Sequence, residues 1–522
     1  MNSSTTPNVD DRPLARWELM TTVLCSGAVV MLVEIIGTRI IGPVFGVSLF
    51  VWAALLSVTL CALAIGYYVG GVLIDRSPRV SRLGAVLLMG GMALGLVPLL
   101  APTVLRGTSE FGPRSGPLLA ALVLFAPALS ALGMTGPIAV RLATTNVVGV
   151  GRRVGGVYAV STAGSLLGTL VTSFWLIPAF DTDDIVLGGA AVLLALAAAV
   201  FVRRGKLWAA TSFGVLLLPG LGLTPKLPLP PNIHVLSRTR SFYGLVEVID
   251  DTARGLRYMR ADHSIIGAHW ARDQTAAFAF LHALEVLPFV RPSAKNMLVI
   301  GLGTGALPSA LAKAGIRADV VEIDPAVASY AQQYFGFRPT GEIYVEDART
   351  FIRTTTKKYD VIVHDTFTGG STPEHLLSAE VLRRLRELLT PGGVLALNMV
   401  GFQRGPHASA TWAVARTLRA EFPIVRAFRD SPLDHRPDET ANIIFLASTG
   451  TLDFEIPRGA HFNDGICAKT LPFLRDWEVL QHVPPGDVIT DAHNPLARLQ
   501  LAVAEEHYGV MRKLLPSEVW IR

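Results

Sequence analysis

The sequence predicts two dissimilar parts in one chain: a multi-pass α-helical membrane domain, then a Rossmann-like α/β domain entered through a small β subdomain. Three observations predict this. Of the 522 residues, 51% are hydrophobic and only 17% charged, with a mean hydropathy of +0.44, which does not suit a soluble multidomain protein. The apolar excess is concentrated before a stiff break at Pro225, Pro228, Pro230 and Pro231. Beyond it the pattern alternates like a soluble domain, and a buried strand runs into a glycine turn. The expected boundaries are a polar segment 1–17, a membrane domain 18–224, a linker 225–233, a β subdomain 234–266, an α/β domain 267–450 and a C-terminal extension 451–522.

About seven apolar runs, at 19–36, 49–69, 83–105, 118–140, 154–176, 185–202 and 207–223, approach the length of about 20 residues that a bilayer requires. Gly66 and Gly70, Gly91 and Gly95, and Gly164 and Gly168 form G-x-x-x-G pairs, which let helix backbones approach closely. Glu34, with Thr38 and Arg39 nearby, is an ionisable group within the first run and hence a functional candidate or an internal ion pair. Basic residues cluster after the second run (Arg76, Arg79, Arg82), the fourth (Arg141, Arg152, Arg153) and the sixth (Arg203, Arg204, Lys206). By the positive-inside rule these loops and the amino terminus are cytoplasmic. Six full crossings would keep the second half in the cytoplasm, where it is expected, and seven would export it. The seventh run, broken by Pro219, Gly220 and Gly222, is the weakest.

The net charge of +5 is modest, and basic membrane-flanking loops supply it without a nucleic-acid surface. Three cysteines, Cys25, Cys61 and Cys467, exclude a disulfide framework. No histidine spacing suggests a metal site. The expected partners are the lipid bilayer and a small amine acceptor, and the oligomeric state is open, a homo-oligomer included.

In the second half, 241–250 and 256–261 read as two strands joined by a turn, and 276–287 as a helix. Residues 296–300 form a strand leading to Gly301, Gly303 and Gly305, then a helix at 307–314 and a strand at 318–323 that brings Glu322 to its end. Glycines there allow a tight turn and close ligand approach, and an acid about 20 residues on suits ribose hydroxyls. A third strand at 341–345 ends near Asp347 and Ala348, where a carboxylate could accept from an adenine amine. A fourth, 359–363, ends at His364 and Asp365, and a fifth runs to Asn398. Acids at three successive strand tips, beside the glycine turn, favour a ligand crevice over three solvated strand-end residues.

With VIGLGTG at 299–305, VEID at 321–324, EDA at 346–348 and YDVIVHDTFTGGSTPEHLLS at 359–378, positions 238–402 resemble spermidine synthases, the polyamine aminopropyltransferases. The whole chain is similar to that family's membrane-fused branch, including an Asp- and Pro-containing segment at 490–496. The resemblance implies an S-adenosylmethionine-dependent transferase type of sheet, with Glu322 on the ribose, Asp347 on the adenine and Asp365 as the base that deprotonates the attacking amine. Tyr243, Thr304, Thr368, Pro373 and His375 would line the substrate side. The donor implied is decarboxylated S-adenosylmethionine. Three family anchors for a cationic substrate are changed: the acid of the glycine loop is Thr304, the acid three residues after the base is Thr368, and a Tyr-His pair is Phe280 and Leu281. A desolvated dication needs compensating carboxylates, so these changes count against putrescine and tilt the donor towards ordinary S-adenosylmethionine. Asp491 either closes over the site or caps a helix at 496–507. Aminopropyl or other alkyl transfer is thus the leading expectation. Methyl transfer, or a transporter or sensor with a non-catalytic nucleoside-binding domain, is the alternative.

Overall fold

The computed structural model describes residues 14–46, 49–144, 149–202, 228–367, 370–430, 439–452 and 483–521. It divides into two compact units, one reaching to Pro228 with a short C-terminal piece, the other Leu229–Pro516.

The first unit is helical: α1 (Arg16–Phe45), α2 (Leu49–Arg76), α3 (Val80–Gly95), α4 (Val97–Ser109), α5 (Gly112–Leu124), α6 (Ala126–Ala143), α7 (Val150–Val171, extended through a π turn to Ala179) and α8 (Thr182–Val202). Four of these helices are long and apolar enough to cross a membrane. The count is six if α3 with α4, bent by 55°, and α5 with α6, bent by 54°, each make one span. Both bends sit just before a proline, Pro98 or Pro127, whose missing N–H interrupts the helical ladder. The seventh apolar run lies outside the described residues. All three glycine pairs pack helix on helix. A Cβ on Gly164 would lie 2.0 Å from the Leu24 carbonyl oxygen of α1, one on Gly66 2.3 Å from that of Ser130 on α6, and one on Gly91 2.8 Å from Leu194 on α8. Tyr158, Leu166, Leu167, Phe174 and Trp175 on or just beyond α7 are exposed. Glu34 is half-buried on α1, and the Thr38 hydroxyl donates back to the Ile35 carbonyl.

The second unit begins with an antiparallel meander of β1 (Ile233–Arg240), β2 (Leu245–Asp251), β3 (Leu256–Ala261) and β4 (Ser264–Trp270). This corrects the expected pair of strands: 241–244 is a turn, closed by Ser241 N–H on the Gly244 carbonyl at 2.8 Å, and two flanking strands are added. Their alternation is mixed with polar residues and is weak in sequence. The expected helix at 276–287 shrinks to α9 (Ala279–Leu284), because Ala276 instead bridges back to His269.

A seven-stranded sheet follows: β5 (Asn296–Ile300), β6 (Arg317–Glu322), β7 (Ile343–Val345), β8 (Tyr359–His364), β9 (Leu389–Phe402), β10 (Ile424–Arg429) and β11 (Thr440–Ser448), in the order β10-β11-β9-β8-β5-β6-β7. The first five are parallel, and β11 pairs antiparallel with β9 and β10. Alternate residues face opposite cores. Met297, Val299, Val361 and Val363 lie under α9, α10 (Ala306–Lys313) and α11 (Pro325–Tyr334). Leu298, Ile300, Ile362 and Leu395 lie under α12 (Ala348–Thr354), α13 (Ala379–Leu388) and α14 (Ser409–Glu421). Burying both faces explains why these strands read as continuous apolar runs. The chain winds from β5 outward to β7, then returns to start β8 on the other side of β5. The carboxyl ends of β5 and β8 therefore flank a topological switch point, where open α/β sheets bind ligands.

Candidate active site

At that switch point the glycine turn and Asp365 meet. The Asp365 N–H donates to the Ile300 carbonyl at 2.9 Å, and the Gly301 N–H donates to the Val321 carbonyl at 2.9 Å. Gly301 has φ +87°, and a Cβ there would fall 2.1 Å from the Asp365 carbonyl oxygen, so only glycine lets the two strand ends close together. Gly303 (φ +53°) lies against the Ile266 carbonyl of β4, and Gly305 (φ +73°) opens α10.

Glu322, at the tip of β6, is buried and accepts the N–H groups of Leu302 and Asp324, each at 3.0 Å. Burial pushes its carboxyl above the usual range, and those N–H bonds oppose the rise. A carboxylate can take about four hydrogen bonds, so the backbone N–H groups around Glu322, that of Ile323 included, still leave acceptor capacity. Asp324 caps α11 through Ala326 N–H at 2.9 Å and accepts the Ser241 hydroxyl at 2.6 Å. That bond ties the β1–β2 turn, with its exposed Tyr243, to the end of β6. At the tip of β7, Asp347 caps α12, accepting Thr350 N–H at 2.8 Å, with Ala348 as the first helical residue.

Asp365 is half-buried and accepts Asn398 Nδ2 at 2.9 Å. Burial pushes its pKa up to about 6 despite that bond, which favours the charged form. His364 before it is fully buried and pushed down to about 4, so it is neutral. Thr304 is buried, with its hydroxyl 3.0 Å from His269 Nε2, and burial lowers His269 to about 4. The position that carries an acid in the family resembled here is therefore an uncharged hydroxyl–imidazole pair.

The loop after Asp365 is held from outside. Gln500 exchanges two hydrogen bonds with Thr372 (2.9 and 3.1 Å), Asn494 donates to the Glu374 carbonyl at 2.8 Å, and Arg349 donates to the His375 carbonyl at 2.7 Å. Pro373 precedes a single 3-10 turn, and the His375 side chain is exposed. Thr368 lies outside the described residues. Asp491 is not a helix cap: it pairs with Arg349, and Pro495 precedes the helical turn at Leu496, whose N–H donates to Asn494 Oδ1 at 3.1 Å. The structure thus gathers Gly301, Gly303, Glu322 and Asp365, and adds Asn398, Asp324 and His269, which sequence patterning did not single out. Of these, Asp324 closes the VEID run and Asn398 is a polar residue within an apolar strand, whereas His269 left no signal.

The residues present fit an adenosyl donor: a turn too tight for a Cβ, a strand-end acid with remaining acceptor capacity, and two buried polar atoms beside Asp365, Thr366 Oγ1 and Asn398 Oδ1, with no hydrogen-bond partner among the described residues. Residues 283–402 match the spermine/spermidine synthase domain. The C-terminal unit carries a spermidine synthase-like transferase domain. An N-terminal histidine N-methyltransferase of Emericella nidulans is 32% identical over 324 residues, 55% of this chain and 57% of that protein. A polyamine aminopropyltransferase of Vibrio vulnificus is 39% identical over 159 residues, 29% of this chain and 52% of that protein. The chain thus spans about half the length of these relatives. Among solved structures, a probable spermidine synthase from Corynebacterium glutamicum aligns at a TM-score of 0.38 and 18% identity, covering 52% of this chain and 94% of that one.

Proposed function

We propose that this protein is a membrane-anchored transferase that moves an alkyl group from an adenosyl sulfonium donor to an amine nitrogen, with Asp365 as general base. The observation that carries the reading is Asp365 itself: half-buried at the switch point, packed against the glycine turn and poised near pH 6. The donor would supply an electrophilic carbon on a positively charged sulfur. Glu322 would bind the ribose, Asp347 the adenine, and the turn from Gly301 to Gly305 would let the donor approach the backbone closely. As the carbon–nitrogen bond forms, the carbon–sulfur bond breaks with its electron pair to leave a neutral thioether, and Asp365 accepts the proton the amine sheds, which places it on the acceptor side of the crevice. The soluble unit works in the cytoplasm, where such donors are made.

Two transfers fit this frame. The Vibrio relative supports aminopropyl transfer from decarboxylated S-adenosylmethionine to a polyamine. The neutral Thr304–His269 pair favours methyl transfer from S-adenosylmethionine, because no carboxylate holds an aminopropyl ammonium there. The Emericella relative's name agrees with methylation of an amine. Calorimetry of the full chain against both donors, methylthioadenosine and NAD tests the reading. Tighter binding of an adenosyl sulfur compound than of NAD is expected, and a preference for NAD overturns it.

A further inference from the structure

A line of side-chain amides runs from Asp365 across the sheet. Asn398 on β9 donates Nδ2 to Asp365 Oδ1 at 2.9 Å, and the same Nδ2 reaches Asn442 Oδ1 on β11 at 3.3 Å. Asn442 in turn donates Nδ2 to Asp430 Oδ2 at 2.8 Å and its backbone N–H to Asp430 Oδ1 at 3.2 Å, just beyond the end of β10. Each amide has one donating and one accepting end, so its orientation is fixed by what its neighbour can do. A carboxylate only accepts. Asp430 therefore turns the Asn442 NH2 towards itself and leaves the Asn442 oxygen facing Asn398. That oxygen can be met only by the Asn398 NH2, which is thereby also presented to Asp365. The arrangement leaves Asn398 Oδ1 buried without a hydrogen-bond partner among the described residues.

We propose that Asn398, Asn442 and Asp430 form a positioning relay for Asp365, in which Asp430 sets the direction of both amides and so keeps a donor on the base. The proposal rests on the reading of Asp365 as general base, and Asn398, Asn442 and Asp430 are positioning residues. The relay favours the ionised, proton-accepting form of Asp365 and holds its free oxygen on the crevice side. On β8 the titratable neighbour of Asp365 is His364, which burial keeps neutral, while β5 offers backbone only. Around Asp430 the charged groups are Arg429, Glu439 and Glu506, the last two acting on Arg429.

The decisive variant is Asp430→Asn, isosteric and remote from the crevice. By simple Coulomb reasoning, removing a negative charge should lower the pKa of Asp365. The relay requires the opposite: the new amide can donate to Asn442, which can then present its NH2 to Asn398, turn the Asn398 oxygen towards Asp365 and raise that pKa. Infrared pH titration of the carboxyl stretch in the full chain, assigned by its loss in Asp365→Asn, reads this without turnover. Asp430→Asn is expected to move the titration up by about one pH unit, the scale of one hydrogen bond to a charged group. An unchanged or lowered midpoint overturns the relay. If Asp430→Asn does not fold, Asn442→Leu carries the test, with a smaller rise expected and no rise overturning it. A midpoint that responds in a protein transferring nothing from any donor supports the relay and refutes the function. A fixed midpoint in an active enzyme refutes the relay alone.

Discussion

Replacing Asp365 by asparagine separates what the carboxylate costs the fold from what it does for the reaction. Burial raises Asp365 from its ordinary 3.8 to about 6, against the bond from Asn398. A folded-state pKa above the unfolded one means stability that is fully present below about pH 3.8 and lost as the pH rises through about 6. The rise corresponds to roughly 3 kcal/mol once the group is ionised, an upper figure because the side chain is only half-buried. Asp365→Asn keeps the shape, can still accept from Asn398 through its amide oxygen, and never ionises. In a unit of this size each kcal/mol moves Tm by about 2–4 °C. The variant should therefore melt several degrees above wild type, up to roughly 10 °C, at pH 8. The gap should close as the pH falls towards 3.8. Transfer activity should fall by roughly 10² to 10⁴, the usual worth of a general base. Scanning calorimetry of the full chain in detergent across this pH range, paired with initial rates, makes the comparison. A melting difference that ignores pH, or a variant less stable than wild type at pH 8, would refute the assignment of a burial cost to this acid.

Glu322→Ala should weaken donor binding by roughly 10- to 100-fold, the scale of hydrogen bonds to a charged group; calorimetry that finds wild-type affinity removes the ribose role. Gly301→Ala should cost turnover on the order of 10²-fold, since its Cβ would collide with the Asp365 carbonyl and displace the base; a normal initial rate contradicts the close approach. A cysteine introduced at exposed Arg272 (Arg272→Cys), in a chain lacking Cys25, Cys61 and Cys467, should resist an impermeant maleimide in intact cells and react after permeabilisation. Labelling of intact cells places the domain outside.

The parallel strands and the glycine turn were legible because burial on both sheet faces writes uninterrupted apolar runs, and because a strand that turns sharply into a helix leaves Gly301, Gly303 and Gly305 in plain view. The strand-end acids Glu322 and Asp365 were legible for the same reason, each ending an apolar run. What escaped depends on pairing between distant segments. β1 and β4 mix polar residues into their alternation, and only the register with β2 and β3 makes them strands. Asn398 reads as one polar residue in an apolar strand until β8 and β11 set Asp365 and Asn442 beside it. Thr304 reads as a lost acid, and only the packing of β4 reveals the neutral histidine at its hydroxyl.

Alkyl transfer from an adenosyl sulfonium donor to nitrogen is the reaction to test. The most direct measurement is the mass of the acceptor after incubation of the full-length protein, with S-adenosylmethionine and its decarboxylated form in separate reactions, against polyamines and peptides with free amino termini. An acceptor heavier by one methyl or one aminopropyl group, formed by wild type and nearly absent with Asp365→Asn, is the predicted result. Donor bound by the protein with no acceptor gaining mass, or a gain that Asp365→Asn leaves untouched, would contradict it.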